Sequence, residues 1–295
     1  MHQYSQGRST TQGHKGIPEG HFEEEQGRKG FFGPVSHLIK EKPSTRWTEI
    51  EGPLRPHLYD FVKLPTQFSN HFFQWQRLFF NADVAMHFWH MPKNFEATTK
   101  QFLQTTDLES RRNADAETLY FCHFGQGQVL TEYGLLDFKK GSYIMIPKCV
   151  GHTILSTEPC AFFVIESKSG AYTEPSRGMV GQNAFYDLAA LGKPDLEKQI
   201  TLKKQTSLQV LKIKVKRLEE ATIFKYKECV YDTVGWKGDF FPFTLHVDDL
   251  MPMLSHRVHL PPSAHTTFVA NGFVVCTFLP RPLETDADAL KVPFY

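Results

Sequence analysis

The stretch SHRVHLPPSAHTTF, residues 255–268, gathers three histidines around a Pro-Pro step. An imidazole can ligate a metal or move a proton near neutral pH. His256 and His259 sit either side of a bend, and His265 follows Pro261 and Pro262. Proline fixes φ at about −65° and pushes its predecessor towards extended backbone, so this is a stiff corner. Such a corner suits one side chain held in a single pose. It is poorly suited to folding three side chains around one ion. The residues therefore leave two readings open, a single positioned acid/base histidine or an ordinary turn histidine bonded locally.

Other groups could also do chemistry. His87 and His90 lie in MHFWH. On a strand, residues three apart point to opposite faces, so the two cannot share an ion. The aromatic run FFNADVAMHFWHM reads as strand, and both histidines as half-buried core. In LQVLKIKVKRL (208–218), Lys212, Lys214 and Lys216 share one face, with Ile213 and Val215 on the other. A solvated or edge strand is expected there, ahead of an anion-binding face. Cys122, Cys149, Cys160, Cys229 and Cys276 are scattered with no C-x-x-C spacing, and read as reduced core thiols.

These residues need elements to hold them. With 41% hydrophobic and 14% aromatic residues in 295, the chain can bury a sizeable core. Short apolar runs such as ETLYFCHF, SYIMIP and CAFFVIES alternate with turn glycines between about residues 68 and 175, the pattern of an antiparallel sandwich or barrel. Residues 1–67 read as an N-terminal arm followed by irregular strands, 176–206 as a linker, and 207–295 as a second, sparser strand series. A net charge of +1 gives no electrostatic reason to expect nucleic acid or an anionic membrane as partner. No apolar run approaches the ~20 residues of a membrane helix, and the N-terminal stretch has no signal-like apolar segment, so a cytoplasmic location is expected.

Within the first series, Gly141, Pro147 and His152 resemble the second conserved segment of cupin barrels, where a strand–turn–strand delivers one metal-binding histidine. The partner segment should bring a His-x-His pair and a glutamate. At RRNADAETLYFCHFG (111–125), Asn113 and Asp115 stand where imidazoles would be wanted, followed by Glu117. A metal-free first barrel is therefore expected, with a carboxylate site from Asp115 and Glu117 as the lesser reading.

Longer segments carry a wider resemblance. GFFGPVSHLIKEKPST (30–45), RNADAETLYFCHFGQGQVLTEYG (112–134), GMVGQNAFYDL (178–188), TVGWKGDFFPF (233–243), MLSHRVHLPPSAHTTFVA (253–270) and the closing FVVCTFLPRPLETDADALKVPFY resemble the bacterial homogentisate 1,2-dioxygenase family. The resemblance implies an all-β, cupin-like double barrel of two antiparallel halves, the second incomplete in this chain. It implies Fe(II)-dependent, extradiol-type ring cleavage of a small aromatic acid with O2, in tyrosine and phenylalanine catabolism. His259, followed by Leu-Pro-Pro-Ser, matches the family's acid/base histidine; His256 and His265 gain no role. The family's iron triad follows the Pro-Phe-Tyr stretch that ends this sequence, so no metal ligand is assigned within it. Iron is expected in the full-length family and not on this chain alone, which should not turn over. A trimer or hexamer of the intact protein is implied. Two alternatives stand beside this reading, a metal-free cupin-like protein binding a small acid and a gentisate-type cupin dioxygenase.

Overall fold

The computed structural model describes residues 4–11, 15–29, 32–60, 73, 75–93, 108–206, 208–253 and 262–280. Contacts divide the chain into two units: Met1–Asp60 with Pro252–Thr266 and Cys276–Tyr295, and Phe61–Met251 with Thr267–Val275.

In the first unit, β1 (Phe22–Lys29) and β2 (Phe32–Lys40) form an antiparallel hairpin, where the sequence suggested an extended arm. His37 faces Glu25 across the ladder and lies 3.0 Å from Glu23 and 3.3 Å from Glu25. Glu24 anchors the following turn by accepting from the Ser44 hydroxyl at 2.8 Å.

The second unit is built on two six-stranded sheets. Its strands are β3 (Gln76–Phe80), β4 (Val84–Met91), β5 (Ser110–Asn113), β6 (Glu117–Phe124), β7 (Gln126–Thr131), β8 (Gly134–Lys139), β9 (Ser142–Ile146), β10 (His152–Leu155), β11 (Cys160–Ser167), β12 (Lys212–Arg217), β13 (Glu220–Lys225) and β14 (Phe243–His246). One sheet runs β14-β9-β6-β11-β4-β3 and the other β13-β12-β5-β10-β7-β8. The eight strands β4 to β11 thus fill two four-stranded layers, β9-β6-β11-β4 and β5-β10-β7-β8. That interleaving is the double Greek key of a jelly roll, the arrangement cupins use. The fold is an all-β, cupin-like sandwich. A further hairpin joins β15 (Thr266–Ala270) to β16 (Phe273–Cys276).

The second strand series lands on the sheets of the first. β12 lies parallel to β5, β13 pairs outside β12, and β14 pairs antiparallel with β9. Because β12 is flanked on both sides, it is not the edge strand its lysines suggested. The linker holds α1 (Leu196–Thr206), opened by Asp195, whose side chain accepts from the Lys198 amide at 2.8 Å. Buried Gln199 donates to the Thr131 carbonyl at 3.0 Å and accepts from its amide at 3.3 Å, tying α1 to the end of β7.

Aromatic and aliphatic side chains from both layers fill the sandwich, among them Trp75, Tyr120, Leu136, Ile144, Phe162 and Val164, all essentially inaccessible. β9 reads as a nearly continuous apolar run because both its faces are covered; all five of its residues are buried. Among the described residues, no helix is long and apolar enough to cross a membrane.

Candidate functional site

Several chemistry-bearing side chains converge inside the jelly roll. β10 and β5 are antiparallel neighbours, and His152 stands directly opposite Arg111. From the facing layer, Tyr120 on β6 approaches His152, its hydroxyl 2.7 Å from Nε2. Nδ1 of His152 faces the Val150 carbonyl at 3.4 Å, which requires the N–H at Nδ1. Nε2 is then the acceptor, and Tyr120 the donor. Burial, followed by the Arg111 charge, pulls the His152 pKa down to about 3. Burial pushes the Tyr120 phenol well above its ordinary range. Both groups are therefore neutral at physiological pH.

Arg111 is partly open to solvent. Its guanidinium lies 4.1 Å from the Trp89 ring centre and 5.8 Å from that of Phe73, and it donates to the Phe73 carbonyl at 3.0 Å.

A second group lies beside the first, with Trp75 between them: its ring centre is 5.7 Å from Tyr120 and 5.3 Å from His87. Glu166 on β11 is fully buried. It accepts from Lys216 Nζ at 2.6 and 2.9 Å, from His87 Nε2 at 2.8 Å and from the Asn113 amide at 2.6 Å. Burial alone would raise the Glu166 pKa. The His87 hydrogen bond and the Lys216 charge outweigh it and hold the pKa at about 2. Lys216 also reaches Glu219 at 3.0 Å. Each carboxylate and amine has its complement, as buried charges require.

The residues singled out in the sequence fall as follows. His256 and His259 lie outside the described residues. His265 is buried in a short 3-10 turn, Pro262–His265, with its ring 5.2 Å from that of Phe278. His87 points inward and His90 outward on β4, as the strand argument required, but His90 is exposed where half-buried core was expected. Asn113 does not replace an imidazole ligand. Its amide serves Glu166 and Thr118, and its oxygen accepts from the Asp115 and Ala116 amides. Asp115 and Glu117 do not form one site. Asp115 accepts from the Leu218 and Glu219 amides, and Glu117 from the Tyr172 amide at 2.7 Å. Cys122 and Cys160 are buried, and burial raises the Cys122 thiol to about 12, leaving it inert. Cys149, read as core, is instead exposed at a turn with φ of 67°.

Lys216 corrects the lysine-face reading, since it is fully buried. Sequence reasoning did not single out Arg111 or Glu166, and placed Lys216 on a solvated face. A signal existed in CAFFVIES, where Glu166 interrupts an otherwise apolar strand and so demands a buried cation.

This interior does not fit the iron of the resemblance. His152 spends Nε2 on Tyr120 and stands next to a guanidinium, which repels a second cation. The Glu166 oxygens are already shared among Lys216, His87 and Asn113. Among the described residues, no group of three His, Cys, Asp or Glu side chains could hold a metal ion.

The family described as homogentisate 1,2-dioxygenase N-terminal matches residues 81–247, which cover the jelly roll. A candidate dioxygenase of Saccharolobus solfataricus is 29% identical over 92% of this chain and 70% of its own. A homogentisate 1,2-dioxygenase of Rhodopseudomonas palustris is 26% identical over 54% of this chain. The chain spans only 34% of that relative's length. Among solved structures, an RmlC-like cupin family protein of Methanocaldococcus jannaschii matches 39% of this chain and 94% of its own, with a TM-score of 0.29 at 12% identity. Salicylate 1,2-dioxygenase of Pseudoaminobacter salicylatoxidans matches 29% of this chain and 20% of its own, with a TM-score of 0.24 at 15% identity.

Proposed function

Because this chain belongs to the homogentisate 1,2-dioxygenase N-terminal family, we propose that it works within a ring-cleaving dioxygenase of extradiol type. The substrates are O2 and a small aromatic acid of the homogentisate kind, in cytoplasmic tyrosine and phenylalanine catabolism. His259 is the acid/base at a substrate hydroxyl. The jelly roll of residues 84–167 is the metal-free half. It supports the catalytic half by giving a rigid sandwich on which further strands are laid. Iron, in this reading, is held outside this sandwich, and the enzyme assembles as a trimer or hexamer.

The observation that carries this reading is the interior itself. The family match falls on a cupin-like sandwich whose histidine at the cupin position, His152, is paired with Tyr120 beside Arg111.

The test is to load the 295-residue chain anaerobically with Fe(II), remove excess metal, and measure bound iron and oxygen uptake with homogentisate. The chain should retain no stoichiometric iron and consume no oxygen. Stoichiometric iron with ring opening, lost in His152→Ala, would overturn the metal-free assignment. Gentisate run in parallel separates the two substrate classes. In any form of the protein that does turn over, a normal rate in His259→Ala removes the role given to that residue.

A further inference from the structure

We infer that the jelly roll holds a binding site for one small carboxylate, gripped by the Arg111 guanidinium and the Trp89 indole N–H. Three observations lead there.

The first is charge. Lys216 is matched by Glu166 and Glu219, Arg112 by Glu132, Lys214 by Glu109, and Lys198 by Asp137. Arg111 touches no carboxylate among the described residues. Glu109, its acidic neighbour in the electrostatics, contacts Lys214 at 3.7 Å. With His152 neutral, the site carries one positive charge that wants one anion.

The second is hydrogen bonding. Among the described residues, the Phe73 carbonyl is the guanidinium's one acceptor, which leaves most of its five donors open. The Trp89 indole nitrogen is buried and has no acceptor among the described residues, and Trp89 is only 3% exposed. A buried N–H left unmade costs on the order of 1–3 kcal/mol, which a ligand oxygen would relieve.

The third is shape. The guanidinium carbon lies over the Trp89 ring, 4.1 Å from its centre, and over the Phe73 ring at 5.8 Å. A planar fork held this way matches the two oxygens of a carboxylate, and the rings offer apolar surface to whatever the carboxylate is attached to. Arg111 is the open side of the site, so the ligand arrives there first. The indole is covered in the ligand-free form, so binding turns it towards the incoming oxygen.

Isothermal titration calorimetry of the iron-free 295-residue chain with sodium acetate, and separately with sodium phenylacetate, tests this. Sodium chloride holds the ionic strength constant and serves as the competing anion. Near-ultraviolet circular dichroism follows the indole. Saturable heat with one site per chain and a change in the tryptophan bands is expected. Tighter binding of phenylacetate than of acetate indicates that the rings contact the ligand body. Arg111→Gln should weaken binding by about tenfold or more, the loss of one charge-assisted pair. Arg111→Lys, which keeps the charge and loses the fork, should fall between. Trp89→Phe, which keeps the ring and loses the N–H, should bind several-fold more weakly while staying folded, and it carries the test if Arg111→Gln fails to fold. Heats that never saturate, equal competition by chloride, or wild-type affinity in both Arg111→Lys and Trp89→Phe would overturn the site and leave it to water.

Discussion

Lys216 shows how much one side chain can conceal. In KIKVKR it alternates with apolar neighbours as a solvent-facing lysine does, yet it is fully buried against Glu166, fifty residues earlier in the chain. Periodicity reports which face a residue is on, not whether that face is later covered. Lys216→Met would strand a buried carboxylate, and chemical denaturation should show a loss of about 3–5 kcal/mol. Adding Glu166→Gln to that variant should recover most of the loss; failure to recover would mean the amine has a role beyond neutralising Glu166. A pH dependence follows from His152. Its folded pKa, about 3, is depressed from the ordinary 6.5. The unfolded chain therefore binds this proton more readily, and stability is fully present above pH 6.5 and lost as the pH falls towards 3. The slope from this group approaches about 1.4 kcal/mol per pH unit. Glu166 adds to the loss below its ordinary 4.5, down to about 2. The stability difference between wild type and His152→Gln, measured from pH 7.5 to 5, should shrink on acidification; a constant difference would refute the linkage.

At the scale of elements, the strands of the first series were legible because burial and turn chemistry agree there. ETLYFCHF, SYIMI and CAFFVIES became β6, β9 and β11, and glycines at 125, 134 and 141 punctuate them with positive φ. Two things were not legible. A short run such as FTLH carries no record of which sheet it will join, and β14 joins β9 from about a hundred residues away in sequence. Nor does spacing tell a ligand histidine from one hydrogen-bonded to a tyrosine. His152 could be placed by the glycine and proline ahead of it, but Tyr120 and Arg111 decide its chemistry. Gly134 gives the element-scale prediction. It begins β8 with φ of 137°, and a Cβ there would lie 2.7 Å from the backbone of both Asp195 and Leu196 at the start of α1. Neither backbone can yield cheaply, so Gly134→Ala combines strain with a clash. It should cost more than about 1 kcal/mol in denaturant and expose the α1 amides to hydrogen exchange. Unchanged exchange in α1 would show that the junction is looser than its geometry.

At the scale of the whole molecule, the eight strands of the jelly roll end at Ser167, which invites excision of a minimal domain at that point. The bonds do not stop there. Glu166 finds its cation on β12, and the Tyr231 hydroxyl, between Ser110 at 2.9 Å and Thr153 at 2.7 Å, comes from later still. A fragment cut after β11 would keep every strand of the jelly roll and lose the Lys216 ammonium, leaving the buried Glu166 carboxylate with His87 and Asn113 but no lysine to balance its charge. The shortest autonomous piece therefore has to run on past Tyr231, and β14 carries its outer sheet to His246. Topology marks where the pattern closes; electrostatics marks where the chain can be severed.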